Sequence, residues 1–166
     1  MKTILLQFII LCLLASCSKV DEPTTEVDKY IEQVKQDKYT ADSLPEFLPE
    51  AIPVLLQSAN DFSKITKFPV NPYTAYGPVK LTVGECLLWT IENIRLNYGN
   101  YEKDNPFPSL VPELHMKTDI NVLRLTDAQL SEVYKLYYNW WYNNKEKDFE
   151  EFRQINPLQD SPYGWK

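Results

Sequence analysis

Glycine is scarce in this sequence, with four in 166 residues, alongside a single histidine and three cysteines. So little glycine leaves poor material for a phosphate-cradling loop, and no C-x-x-C, H-E-x-x-H or G-x-S-x-G spacing occurs. The lone histidine, His115, lies between Leu114 and Met116 with no partner motif beside it. It reads as a loop or surface residue rather than a base or a metal ligand. Positive charge is outweighed as well: 17 Lys and Arg face 23 Asp and Glu, for a net charge of −6. That balance argues against nucleic acid and against electrostatic docking on anionic lipid.

Long apolar runs are missing too, except at the start. Ile4 to Ala15 is almost unbroken and follows Lys2. It is too short for a permanent membrane-spanning helix and matches a secretory signal. It closes on "LASC", Leu14-Ala15-Ser16-Cys17. A small-residue site directly before a cysteine resembles the lipobox of bacterial lipoproteins, which implies cleavage before Cys17 and acylation of that residue. The expectation is therefore a signal peptide over 1–16, a lipidated tether over 17–26 and one domain over 27–166. Acyl chains on Cys17 would supply the membrane partner, since more than one buried chain gives stable anchoring. Ser18 stands where an aspartate usually signals inner-membrane retention in diderm lipoproteins. The resemblance thus implies the outer membrane, at its periplasmic face or the cell surface.

Removal of residues 1–16 takes Cys12 away and lipid consumes Cys17, leaving Cys86 alone. A single thiol excludes a disulfide scaffold. The domain must hold itself together by burying apolar surface, and at this size roughly 70% of the unfolded surface can be buried.

What the sequence does have is helical periodicity, proline and aromatic rings. Val27, Tyr30, Ile31 and Val34 share a face of a helix predicted over Glu26–Asp37 after Thr25. A second helix should start at Pro49 or Pro53, because proline is comfortable only in a first turn, and run to about Ala59. "TKFPVNPYTAYGPVK" reads as an ordered aromatic loop. "TVGECLLWTIENIRLNY" is apolar over most of its circumference, as in the middle of a bundle. Its narrow polar stripe holds Glu85, Glu92 and Arg95, with Leu88 among them. Residues 99–125 are irregular, although strands there or near Val79–Thr82 remain open. "TDAQ", Thr126 to Gln129, is a capping box for a helix to about Lys145. "DFEE" starts a short fifth helix expected to end at Pro157.

Tyr, Trp and Asn fill every position from 137 to 142. On a helical wheel Leu130, Val133, Tyr134, Tyr137, Trp140 and Trp141 form a core stripe. Tyr138 and Tyr142 form a separate pair flanking it toward solvent. These two, with Tyr73 and Tyr76 from the proline loop, are the candidate ligand-binding aromatics. Glu85 and Glu92 are the best acid–base candidates, seven apart on one helix. The alternative role for Glu92 is an i, i+3 ion pair with Arg95, and that structural reading is preferred. Cys86, on the apolar centre of its helix, is expected to be an inert buried thiol.

"FPVNP", "LLWTIENIR", "YYNWWYNNK" and "DFEEFRQINPLQDSPYGW", in this order behind a lipobox, resemble a family of small Bacteroidetes lipoproteins classed as a domain of unknown function. The likeness runs from about Val27 to Trp165. It implies a mainly α-helical envelope domain and brings no catalytic residues. "AIPVLLQ" followed by "CLLWTIENIR" offers a looser analogy to HEAT-type helix pairs. The expected fold is a mainly α, compact bundle of about five helices with a long irregular connection. The expected function is a non-catalytic binding or accessory role in the envelope, with an envelope protein or glycan as partner and no cofactor or metal. The alternatives are a carbohydrate-binding accessory protein using the exposed aromatics and a small carboxylate-dependent hydrolase.

Overall fold

Three threonines start three helices by one device. Thr25, Thr82 and Thr126 have extended backbones, and each hydroxyl accepts the N–H of the residue three further on. The side chains of Asp28, Glu85 and Gln129 reach back to the threonine N–H, so two otherwise unpaired donors are satisfied at each start. The protein is described here by a computed structural model over residues 25–69, 80–99, 112–118 and 124–165. These residues form α1 (Glu26–Lys35), α2 (Ile52–Ser58), β1 (Lys64–Ile65), β2 (Leu81–Thr82), α3 (Val83–Asn97), β3 (Leu114–Met116), α4 (Asp127–Asn144), α5 (Phe149–Phe152) and β4 (Tyr163–Trp165). The fold is mainly α, with two small antiparallel sheets, β1–β2 and β3–β4.

Helix α3 is the axis of the molecule and packs against α1, α2 and α4. Every residue from Val83 to Glu92 is buried. The expected polar stripe is therefore enclosed with the rest, and Leu88 is core. The surrounding helices each contribute one apolar face: Tyr30, Ile31 and Val34 from α1, Ile52, Leu55 and Leu56 from α2, and Leu130, Val133, Tyr137 and Trp140 from α4. Tyr134 and Trp141, placed in the core stripe on the wheel, are half-buried flanks of it. Each fully buried Leu or Ile contributes about 1.5–3 kcal/mol relative to exposure.

The helix ends show what residue types allow. Both candidate prolines of α2 are used. Pro49 opens a 3-10 turn (Pro49–Ala51), and Pro53 falls in the first turn of the α-helix, where no N–H bond is missed. Helix α3 stops at Tyr98, with Gly99 at φ +77° taking the left-handed position. Helix α1 stops at Lys35, two residues short of the expected end. Asp37 there adopts φ +55°. Its N–H donates to the Val34 carbonyl, and the Lys38 N–H donates to the Gln33 carbonyl, which is the Schellman pattern usually given to glycine. The Asp37 carboxylate accepts hydrogen bonds from the N–H groups of Thr66 and Lys67 and from the Thr66 hydroxyl. These backbone donors hold its pKa below the usual carboxylate value.

Two other expectations need correction. Helix α5 ends at Phe152 rather than Pro157, and residues 153–162 run as turns in which the Asn156 carboxamide oxygen accepts the Leu158 N–H. His115 lies in β3 rather than in a loop, opposite Gly164. Strand β4 brings the C-terminal segment back onto the domain, burying Tyr163. The Tyr163 hydroxyl donates to Glu132 on α4, and burial together with that carboxylate pushes its pKa up to about 12.

Candidate functional site

The carboxylates of α3 belong to two separate structural assemblies. Glu85 closes the capping box: its Oε2 accepts from the Thr82 N–H and hydroxyl, each at 2.9 Å. Glu92, two turns further along, has both oxygens engaged. Its Oε1 accepts from Arg95 Nε at 3.1 Å and from the Tyr137 hydroxyl at 2.7 Å, and its Oε2 accepts from an Arg95 terminal nitrogen at 2.7 Å. Glu92 is 3% exposed and Arg95 6%, so a bidentate pair sits almost dry. Such a pair persists only where its remaining bonds are made. They are made by the C-terminal segment. The other terminal nitrogen of Arg95 donates to the Arg153 carbonyl at 2.8 Å, and Trp165 Nε1 donates to the Tyr137 hydroxyl at 2.8 Å.

Electrostatics follow this geometry. Burial raises the Tyr137 pKa well above its ordinary value, and the adjacent Glu92 carboxylate raises it further. Burial pulls the Arg95 pKa down, but its pairing with Glu92 outweighs that and the net shift is upward. Neither group can exchange a proton cheaply near neutral pH. The two carboxylates, about 10 Å apart along the helix, do not face a common open cleft. Cys86 is fully buried as expected, and the pKa of its thiol is pushed up by burial, then by Glu85 and Asp37. A second buried polar chain lies beside it. The Thr90 hydroxyl donates to the Cys86 carbonyl at 2.9 Å, which leaves Tyr30 as the donor in its 2.6 Å bond to Thr90 Oγ1.

The tyrosine pair on α4 is exposed. Tyr138 and Tyr142 are 39% and 40% accessible and stack at 4.2 Å between ring centroids, 26° from parallel. They are the middle of a longer column. Tyr134 stands one turn before, at 6.0 Å from Tyr138, and Lys145 Nζ lies 4.9 Å from the Tyr142 ring centre. Because helical side chains lean toward the N-terminus, Tyr142 stacks on the Tyr138 ring before it, while Tyr138 meets Tyr134 at a tilt of 48°. The column therefore offers edges and hydroxyls to solvent more than ring faces. Tyr73 and Tyr76, the other proposed members, lie outside the described residues, as does Cys17.

The described residues also border two surface depressions that periodicity did not reveal. One, of about 390 Å³, is lined by Tyr39, Thr40, Asp42, Lys67 and Phe68. The other, of about 530 Å³, lies along the polar run "SANDFS" after α2. The only hint in the sequence was an aromatic residue set among amides and hydroxyls. Among the described residues, no group of three or more His, Cys, Asp or Glu could hold a metal ion, and no helix is long and apolar enough to cross a membrane.

A family model described as a domain of unknown function (DUF4943) matches residues 21–166. No curated protein and no solved structure matches the chain.

Proposed function

The chain belongs to the DUF4943 family, and from that premise we propose that it is an outer-membrane-anchored bacterial lipoprotein whose domain acts by binding, without catalysis. The anchoring half of the proposal rests on the order of the N-terminal features: Lys2, the apolar run, "LAS" and Cys17. One observation carries the binding half. The buried acids and bases of α3 are consumed by the fold, whereas the Tyr138–Tyr142 stack is left outside with no structural duty toward the core. A hydrolase built on Glu85 and Glu92 gains no support from carboxylates that bond to a helix cap and to an arginine. Glycan stacking on Tyr138 and Tyr142 is weakened because the two rings already stack on each other. A macromolecular partner meeting ring edges and hydroxyls fits that surface better, since tyrosine combines rigid apolar area with a polar tip.

The test expresses the full chain and its Cys17→Ser variant in a diderm bacterium fed an alkyne fatty acid. The intact chain should take up label and fractionate with the outer membrane, and the variant should do neither. Equal labelling, or an unlabelled intact chain, would defeat the anchoring. Crosslinking in intact envelopes, compared with a Tyr138→Ala/Tyr142→Ala chain, reports on binding. A crosslinked partner that persists undiminished in that variant removes the tyrosine surface from the account.

A further inference from the structure

Gly84 shapes a loop that it does not belong to. Its N–H donates to the Asp61 carbonyl at 2.8 Å, and the Val83 N–H donates to the Ser63 carbonyl at 2.9 Å. A Cβ at position 84 would lie 2.4 Å from the Ala59 carbonyl oxygen, so only glycine permits this approach. Asp61 Oδ1 accepts the Ser63 N–H at 2.9 Å and tightens the turn. The loop between α2 and β1 is thus held mainly through its backbone. Some of the side chains beside it are left over. The side chains of Asn60 and of Gln57, near the end of α2, make no hydrogen bond among the described residues, and both are exposed. Together with Lys35 of α1, which donates to Ser58 Oγ at 3.3 Å, they border the open groove of about 530 Å³.

We propose that this groove binds a neutral saccharide. Amides and hydroxyls, from Gln57, Ser58, Asn60 and Ser63, can each donate and accept, which matches a ligand covered in hydroxyl groups. Lys35 and Asp61 contribute one charge of each sign, so the groove has no net field to favour a phosphate or a metal ion. Phe62, half-buried against the core, is the one aromatic side chain on the groove's border and offers a small apolar edge to a sugar C–H group. An open, largely polar groove does not suit an apolar small molecule, which would need an enclosed and greasier cavity. A loop already pinned by α3 loses little further freedom on binding. The proposal rests on the reading of a binding domain, but it is independent of Cys17 and of the tyrosine column.

The experiment follows backbone amide resonances of the isotope-labelled full chain in detergent during titration with methyl glycosides of glucose, galactose, mannose and N-acetylglucosamine, and with their disaccharides. At least one sugar should shift residues 57–63 saturably, with a dissociation constant in the millimolar range or tighter. Gln57→Ala/Asn60→Ala, which touches only exposed side chains, should weaken that binding about tenfold without altering thermal unfolding. Phe62→Leu, which stays apolar but removes the ring, should weaken it as well, and Tyr138→Ala/Tyr142→Ala should leave it unchanged. The proposal is overturned if no sugar perturbs the loop, if the shifts centre on Tyr138 and Tyr142, or if inorganic phosphate or an unrelated peptide perturbs residues 57–63 equally. Loss of fatty-acid labelling would sink the anchoring alone and leave this result standing.

Discussion

Helices α3 and α4 start from the same threonine box, yet they treat polarity in opposite ways. Helix α3 hides a glutamate, an arginine and a second glutamate among apolar residues. Helix α4 leaves Tyr138 and Tyr142 in water while burying Tyr137 and Trp140, one or two positions away. Position in the bundle makes the difference. A helix with neighbours on three sides must enclose whatever it carries, and it can do so only where each charge finds a partner. A helix at the rim encloses one stripe and is free elsewhere. Residue type therefore predicts exposure poorly here, and the number of covering elements predicts it well. Even the enclosed side is not perfectly satisfied: Trp140 Nε1 is buried without a hydrogen-bond partner among the described residues.

The largest expected break in this comparison is Glu92→Ala. It strands Arg95 and removes an acceptor from Tyr137 in a dry site, and it should cost about 3–5 kcal/mol in urea unfolding. Glu92→Leu combined with Arg95→Met should cost clearly less than the single change, because no unpaired charge is left behind. If the double variant is the worse one, burial of the pair is not the governing cost. Next come the two helix starts. Thr126→Ala removes an exposed cap and should cost about 1 kcal/mol. Thr82→Ala leaves the buried Glu85 carboxylate short of one donor and should cost roughly 1–3 kcal/mol beyond that. Equal midpoints for the two would show that enclosure adds nothing. The smallest effect belongs to the rim. Tyr138→Ala with Tyr142→Ala should change stability by no more than about 0.5 kcal/mol per site, and a cooperative loss well beyond that would make the column structural.

Much of this contrast could be read along the chain. "TDAQ" announced the start of α4, and "TVGE" at 82–85 has the same T-x-x-E/Q form. That spacing marks Glu85 as a cap rather than as an acid. The core faces of α1, α2 and α4 followed from helical spacing, and the exposed pair at Tyr138 and Tyr142 followed from their place beside the stripe. The Glu92–Arg95 pair was visible as i, i+3, but its other partners were not. Tyr137, Arg153 and Trp165 lie 45, 58 and 28 residues from the groups they bond. The early stop of α1 was hidden because an aspartate takes a backbone conformation that composition assigns to glycine. Strands of two or three residues carry no periodicity of their own, so β3 and its mate β4 emerge only from pairing across the chain.

Local rules thus determined what this protein is made of: helices, where most of them begin, and which stripe of each is apolar. Contacts between distant segments decided the rest, namely that α3 is enclosed, that its charges become internal fasteners for the C-terminal strand, and that a glycine at its first turn moulds the polar groove next to it. The division has one cause. A helix start or stripe depends on residues three or four apart, whereas the surroundings of a side chain depend on segments that only folding brings alongside it.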